Sequence, residues 1–285
     1  MAKVLIPIPA RDFDPTEVAI PWRVLTQRGH SVIFATPDGA MGAADDIMLT
    51  GKGLDFWGFA PGLRALVLIG AVLRADANAR AAYAEMQSAP AFRQPLRWAD
   101  LDAEKFDAVL FPGGHRARGM RAYLEDGGLQ RLALAFAAAG KPIGAICHGV
   151  LLLARTNDSH SKSLLFGRKV TALTWALERA GASLAGVTRF WDPHYYRTYL
   201  ERRGQPAGYM SVQQEVTRAL RSPGDFCDVP PGDAQFKRKS SGLVRDTPQD
   251  ETPAWVVRDG NLVTARWPGD AHTFAKRFAE MVEEG

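Results

Sequence analysis

The sequence predicts an α/β protein built on an open, mostly parallel sheet with helices on both faces. Apolar runs of strand length recur at VLIPI (4–8), SVIFAT (31–36), DAVLFP (107–112), PIGAI (142–146) and KVTAL (169–173). They are continuous rather than alternating, the habit of strands covered on both faces. Amphipathic stretches lie between them, and the resulting βαβα alternation implies parallel strands joined by helical crossovers.

Taken in order, residues 16–28 place Val18, Ile20, Trp22, Val24 and Leu25 at helical spacing, and Gly29 follows as a stop. Residues from about 40 to 104 leave the alternation, with helical material at 63–86 and a loop holding Pro90 and Pro95. An Ala/Leu-rich helix is predicted over 120–139, ended by Gly140 and Lys-Pro. A second insertion, 186–253, is rich in Pro, Gly and Arg, carries most of the tyrosines, and shows helical periodicity near 211–221. Loops this long in a compact domain are usually functional or hold small elements of their own. The chain closes with a hairpin around Asp259-Gly260 and a helix over 270–284 with Asp270 as its N-terminal cap. The expectation is one domain over 1–285 carrying two insertions.

Composition narrows the function. The 285 residues are 46% hydrophobic and 23% charged, ordinary globular usage that excludes disordered and fibrous classes. Lys and Arg exceed Asp and Glu by 35 to 31, a net charge of +4. That is too small a surplus for a nucleic-acid field, and the one basic run, Lys237-Arg238-Lys239, reads as a solvated loop. Two cysteines, Cys147 and Cys227, cannot make a disulfide framework and suit a reducing compartment. No run reaches the ~20 apolar residues of a membrane span, and ALVLIGAVL (65–73) stops at Arg74. These features lead us to expect a soluble cytoplasmic protein without nucleic-acid or membrane partners.

The most informative residues are AICHG at 145–149. A short apolar strand runs into Cys147, a helical pattern begins just after it, and small residues stand two before and two after. That is the pattern of a nucleophile elbow, a sharp strand-to-helix turn with a strained, often positive-φ central residue. A lone cysteine is more often a core residue, but the elbow and the adjacent His148 favour a nucleophile. A helix N-terminus there is expected to lower the thiol pKa and speed alkylation of Cys147 over Cys227. FPGGH (111–115) places Gly113 and Gly114 at the carboxyl end of another strand, where open sheets bind ligands. The Gly114 and His148 N–H groups are then candidates for an oxyanion hole.

With these motifs in order, the chain resembles the ThiJ/PfpI superfamily, within the class I glutamine amidotransferase-like fold. The resemblance rests on residues 3–39, FDAVLFPGGH (106–115), KPIGAICHG (141–149) and KVTALTWALE (169–178). The long insertions and the GGH…CHG pairing resemble its larger, chaperone-like and glyoxalase III-like branch. It implies a flavodoxin-like three-layer sandwich and a homodimer. It also implies a catalytic set of Cys147, His148 and Glu17, whose carboxyl would approach sulfur as a hydrogen-bond donor or proton shuttle. Glu178, 31 residues after the cysteine, is the candidate acid to orient His148; Asp192 and Asp158 have no motif behind them. His115, Trp175, Tyr195 and Tyr196 are candidate pocket residues, the two tyrosines from the aromatic run FWDPHYYRTY (190–199), which reads equally as a packed surface loop.

No HExxH, CxxC or phosphate-loop motif occurs, so neither metal nor cofactor is expected. The implied activity is cysteine-dependent turnover of a small reactive aldehyde through a hemithioacetal. The same apparatus could hydrolyse an amide or peptide through a thioester. A stress-response holdase and a cysteine redox sensor are the alternatives from other classes.

Overall fold

Four of the five apolar runs form adjacent strands in a seven-stranded sheet. The computed structural model describes residues 1–285. Its strands are β1 (Lys3–Pro7), β2 (Ser31–Thr36), β3 (Leu96–Arg97), β4 (Ala108–Phe111), β5 (Ile143–Ile146), β6 (Val256–Asp259) and β7 (Leu262–Ala265). The order is β3-β2-β1-β4-β5-β7-β6. Every pairing is parallel except that of the β6–β7 hairpin. Strands β1, β4 and β5 are buried at every position except Lys3, as expected where helices cover both faces.

One face carries α1 (Pro15–Gln27), α2 (Ala77–Met86) and α8 (Ala271–Glu284). The other carries α3 (Ala117–Leu124), α4 (Gly127–Ala138) and α5 (Gly149–Arg155), with α7 (Val212–Ala219) packed on α5. Helix α6 (Trp175–Thr188) leads into the second insertion and packs on α7. A main core of 59 buried residues runs through these layers, giving the α/β flavodoxin-like architecture that the resemblance implied.

The departures from expectation have local causes. KVTAL does not enter the sheet: Val170 makes one bridge with Phe226, and the edge beyond β7 is already occupied by β6. The helix expected over 120–139 is two helices, because the Asp126 carboxylate accepts from the Leu129 N–H at 2.8 Å and starts a new helix. The helical material at 63–86 is likewise split into Ile69–Leu73 and α2. The basic run at 237–239 lies in a single turn of helix, where Lys239 pairs with Asp233 at 2.7 Å. Asp270 does not cap α8, since its carboxylate is engaged by Arg266 Nε and Nη2 at 2.9 and 2.8 Å. Asp246 takes that role from the second insertion, accepting from the His272 and Thr273 N–H groups at 3.2 and 2.6 Å.

Candidate active site

Strands β4 and β5 end side by side, with Phe111 opposite Ala145, so their two outgoing turns meet at the carboxyl edge of the sheet. Cys147 occupies the turn from β5 into α5 with φ +58°. Left-handed backbone at a residue with a Cβ costs on the order of 1–3 kcal/mol and persists only where its surroundings enforce it. Here the Cys147 N–H is tied to the Ala265 carbonyl at 3.0 Å. Two glycines make the close approach possible. A Cβ on Gly149 would lie 2.2 Å from the Phe111 carbonyl oxygen, and one on Gly113 would lie 2.8 Å from both the His148 nitrogen and Glu17 Oε2. Both distances are far inside van der Waals contact, so any side chain would force the turns apart.

Glu17 reaches the cysteine from the first turn of α1. That helix begins with Asp14 as its N-cap, accepting from the Thr16 and Glu17 N–H groups at 2.8 and 3.2 Å, followed by Pro15. The Glu17 side chain is fully buried, and Oε2 accepts from the Gly113 N–H at 2.8 Å. Its other oxygen, Oε1, makes no hydrogen bond, so the expected contact with sulfur is not closed at rest. Burial, reinforced by the negative charge of Asp14, holds the Glu17 carboxyl well above the usual carboxylate range, against the pull of the nearby Cys147 thiol and of the Gly113 N–H. Glu17 therefore holds its proton at rest beside the thiol.

The expectation of a standing, low-pKa thiolate is corrected. Burial, followed by the charges of Glu17 and Asp14, pushes the Cys147 thiol up, and the His148 N–H only partly opposes this. Desolvation outweighs the dipole of the two-turn helix α5. The proton can leave toward His148, whose Nδ1 lies 3.4 Å from Sγ. Burial and the nearby His115, Arg155 and Arg197 hold that imidazole well below its ordinary pKa, so it is neutral and able to accept.

No acid orients His148. Its Nε2 is buried without a partner. Glu178, the expected orienting carboxylate, instead lies 2.9 Å from Arg197 Nε and accepts from the Val212 N–H at the start of α7, at 3.0 Å. Asp192 is bound to Arg189 at 2.7 Å, and Asp158 accepts from the N–H groups of His160 and Lys162 in an exposed turn. The candidate oxyanion donors fare differently. The Gly114 and His148 N–H groups donate to no backbone carbonyl; His148 follows Cys147 in the elbow, whereas Gly114 lies in the turn leaving β4, against Asp12, Phe13 and Met120.

Cys147 lines a cavity of about 330 Å³, in the size range of small-molecule sites. His115, Glu178 and Tyr196 line it as well, whereas Tyr195 and Trp175 stand behind the wall. The Tyr195 hydroxyl donates to Asp45 Oδ2 at 2.8 Å, and Trp175 packs against the Arg197 guanidinium. The His115 ring is held between Tyr195 and Tyr196, both at 4.6 Å, and burial lowers its pKa to about 3. Among the lining residues that escaped sequence reasoning, three are polar or aromatic groups that bear on chemistry: Asp14, Arg245 and Trp267. Asp14 could have been found as the cap before Pro15. Arg245 and Trp267 carry no local signal.

A family model described as ThiJ/PfpI family-like matches residues 8–211, more than half of the chain. Among curated relatives, cobyric acid synthase of Mycolicibacterium paratuberculosis is 28% identical over 194 residues, covering 65% of this chain and 36% of that protein. Protein/nucleic acid deglycase 2 of Escherichia coli is 39% identical over 74 residues, covering 26% of this chain and 38% of that protein. The matched segments thus span little more than a third of these relatives' own length. Among solved structures, glyoxalase III from Candida albicans superposes with a TM-score of 0.57 at 17% identity, covering 98% of this chain and 97% of that one. A 24 kDa rapid encystment protein of Francisella tularensis gives 0.58 at 16% identity, covering 99% of both chains. At such identities the structural likeness shows the fold alone. With the family model spanning the first helix, the glycine turn and the elbow, this chain belongs to the ThiJ/PfpI-like family.

Proposed function

We propose that this protein converts small 2-oxoaldehydes to 2-hydroxy acids, with Cys147 as the nucleophile and no bound cofactor. The observation that carries the reading is a cysteine at φ +58° on a small cavity, 3.4 Å from a neutral imidazole and beside a protonated buried carboxyl. The names of two similar proteins, a glyoxalase III and a deglycase, support aldehyde chemistry.

In this reading the Cys147 thiol adds to the aldehyde carbon while its proton passes to His148 Nδ1 and on to the carbonyl oxygen, giving a hemithioacetal. The Gly114 and His148 N–H groups stabilise the developing oxyanion. His148 then takes the proton from the former aldehyde carbon and returns it to the adjacent carbon, leaving a 2-hydroxyacyl thioester. Water cleaves that thioester, releasing the hydroxy acid and the free thiol. Aldehyde and water are consumed in equal amounts, and no electron leaves the system. Glu17, protonated at rest, donates to sulfur, gives its proton to the oxygen of the adjacent carbon and recovers one from the hydroxyl of the former aldehyde carbon. The test is glutathione-free conversion of methylglyoxal to lactate by the purified protein, lost in Cys147→Ala. Product formation that survives this substitution removes the reading.

A second reading rests on a different surface. Leu63, Leu66, Leu68 and Val72 of the first insertion are all about half exposed or more, alongside Phe59 and Phe190. Contiguous apolar surface of this kind suits the binding of unfolded chains. Suppression of aggregation of a heat-denatured client, retained in Cys147→Ala and lost when Leu66 and Leu68 become Ser, would support it.

A further inference from the structure

We infer that Arg245 anchors a carboxylate on the substrate, so that the preferred 2-oxoaldehyde is one with an acidic group at its far end. This inference rests on the aldehyde reading for its reaction, but the anchoring site stands on separate observations.

Arg245 comes from the second insertion and lines the same cavity as Cys147. The three most deeply buried arginines each have an acidic partner: Arg189 with Asp192, Arg197 with Glu178 and Arg266 with Asp270. Arg245 has none. Its Nη2 donates to the Leu73 and Arg74 carbonyls at 3.1 and 3.3 Å, and its guanidinium lies 5.6 Å from the Trp267 ring centre. These contacts fix the side chain on the cavity wall. Its Nη1, in contrast, is buried with no acceptor. An ionised donor withdrawn from water without an acceptor is costly, and a site organised around one is completed when an anion arrives.

The remaining wall shows which anion. Hydrophobic residues dominate the lining, and the acids Asp14 and Glu178 on it are held by other partners, Asp14 Oδ1 by two N–H groups of α1 and Glu178 by Arg197 and the Val212 N–H. One guanidinium with one unpaired nitrogen matches a singly charged carboxylate. A phosphate dianion would demand more donors than this wall supplies. A short apolar spacer would then span the Leu173 and Leu177 side of the cavity between carboxylate and carbonyl.

The experiment compares 4,5-dioxopentanoate, a 2-oxoaldehyde with a terminal carboxylate, with the neutral 2-oxopentanal. The parent protein is expected to favour the acid by about tenfold or more in kcat/KM, mainly through KM. In Arg245→Gln that ratio falls to near one, and in Arg245→Lys it is partly restored. A parent ratio near one, or equal losses on both substrates in Arg245→Gln, would overturn the inference and leave Arg245 a structural residue. Calorimetry with 4-oxopentanoate on Cys147→Ala separates the two claims. Arg245-dependent binding without turnover of either aldehyde would refute the aldehyde chemistry alone. Turnover of both aldehydes without Arg245-dependent binding would refute the carboxylate anchor alone.

Discussion

Glu17 and Glu178 are both buried glutamates beside the same cysteine cavity, and their surroundings give them opposite roles. Glu178 sits 2.9 Å from Arg197, accepts from the Val212 N–H, and belongs to the joint between α6 and α7. Glu17 has no cation within reach, leaves Oε1 without a hydrogen bond, and faces a thiol. Burial raises both pKa values, that of Glu178 to about 7 even against the pull of Arg197. A buried acid with its own arginine is explained by architecture. One that holds a proton beside a strained cysteine, with no cation of its own, calls for chemistry.

The largest effect should come from the nucleophile. Cys147→Ala is expected to lower 2-oxoaldehyde turnover by about 10³-fold or more, because no neighbouring group can replace sulfur. Next, Glu17→Gln should reduce kcat by about 10²-fold while Cys147 still alkylates, since an amide donates to sulfur but carries no proton. Steady-state kinetics with site-resolved mass spectrometry reads both. Unchanged kcat in Glu17→Gln would reduce Glu17 to a positioning residue.

Glu178→Gln sharpens the contrast from the other side. It should cost roughly 1–3 kcal/mol of stability by urea denaturation, through its exchange with Arg197 and Val212. Its kcat per folded molecule should change only a few-fold. A 10²-fold loss of kcat with full stability would return Glu178 to the catalytic set.

The smallest effect is in pH dependence. Asp45, Glu178 and Asp246 are held at about 6, 7 and 7 by burial, above their unfolded values of 3.8, 4.5 and 3.8. Each raised acid contributes stability that is fully present below its unfolded pKa and is lost as pH rises through its folded pKa. His115 and His272, lowered to about 3 and 4, act in the opposite sense but only up to the unfolded value of 6.5. Between pH 6.5 and 8 the carboxyl effect acts without that opposition, and stability should fall by roughly 1–2 kcal/mol. A flat or rising profile there would show that these carboxyls are ionised in the fold.

The contrast between the two glutamates also marks how far the sequence could be read. Strands β1, β2, β4 and β5, the elbow at Cys147 and the glycines that admit it were legible, because each is a local requirement of backbone geometry. Glu17 was legible only through family resemblance, since a first-turn glutamate is ordinary in itself. The partner of Glu178 was not, because Arg197 reaches it only once α6 and the loop before α7 fold together. KVTAL has the composition of a strand, but sheet membership depends on a free edge, and the hairpin at 256–265 takes it. Arg245 and Trp267 join the cavity from segments about 100 residues beyond the elbow, with no pattern to announce them. The thiol's direction of shift was misread because a short helix dipole is visible in sequence and depth of burial is not.

The account centres on a covalent intermediate at Cys147, and acid-quenched turnover with peptide-level mass spectrometry tests it most directly. During methylglyoxal turnover, the 2-hydroxyacyl thioester should appear on Cys147, be absent from half-buried Cys227, and disappear as substrate is exhausted. Continuous product formation with Cys147 unmodified at every time point, or equal modification of both cysteines, would contradict it.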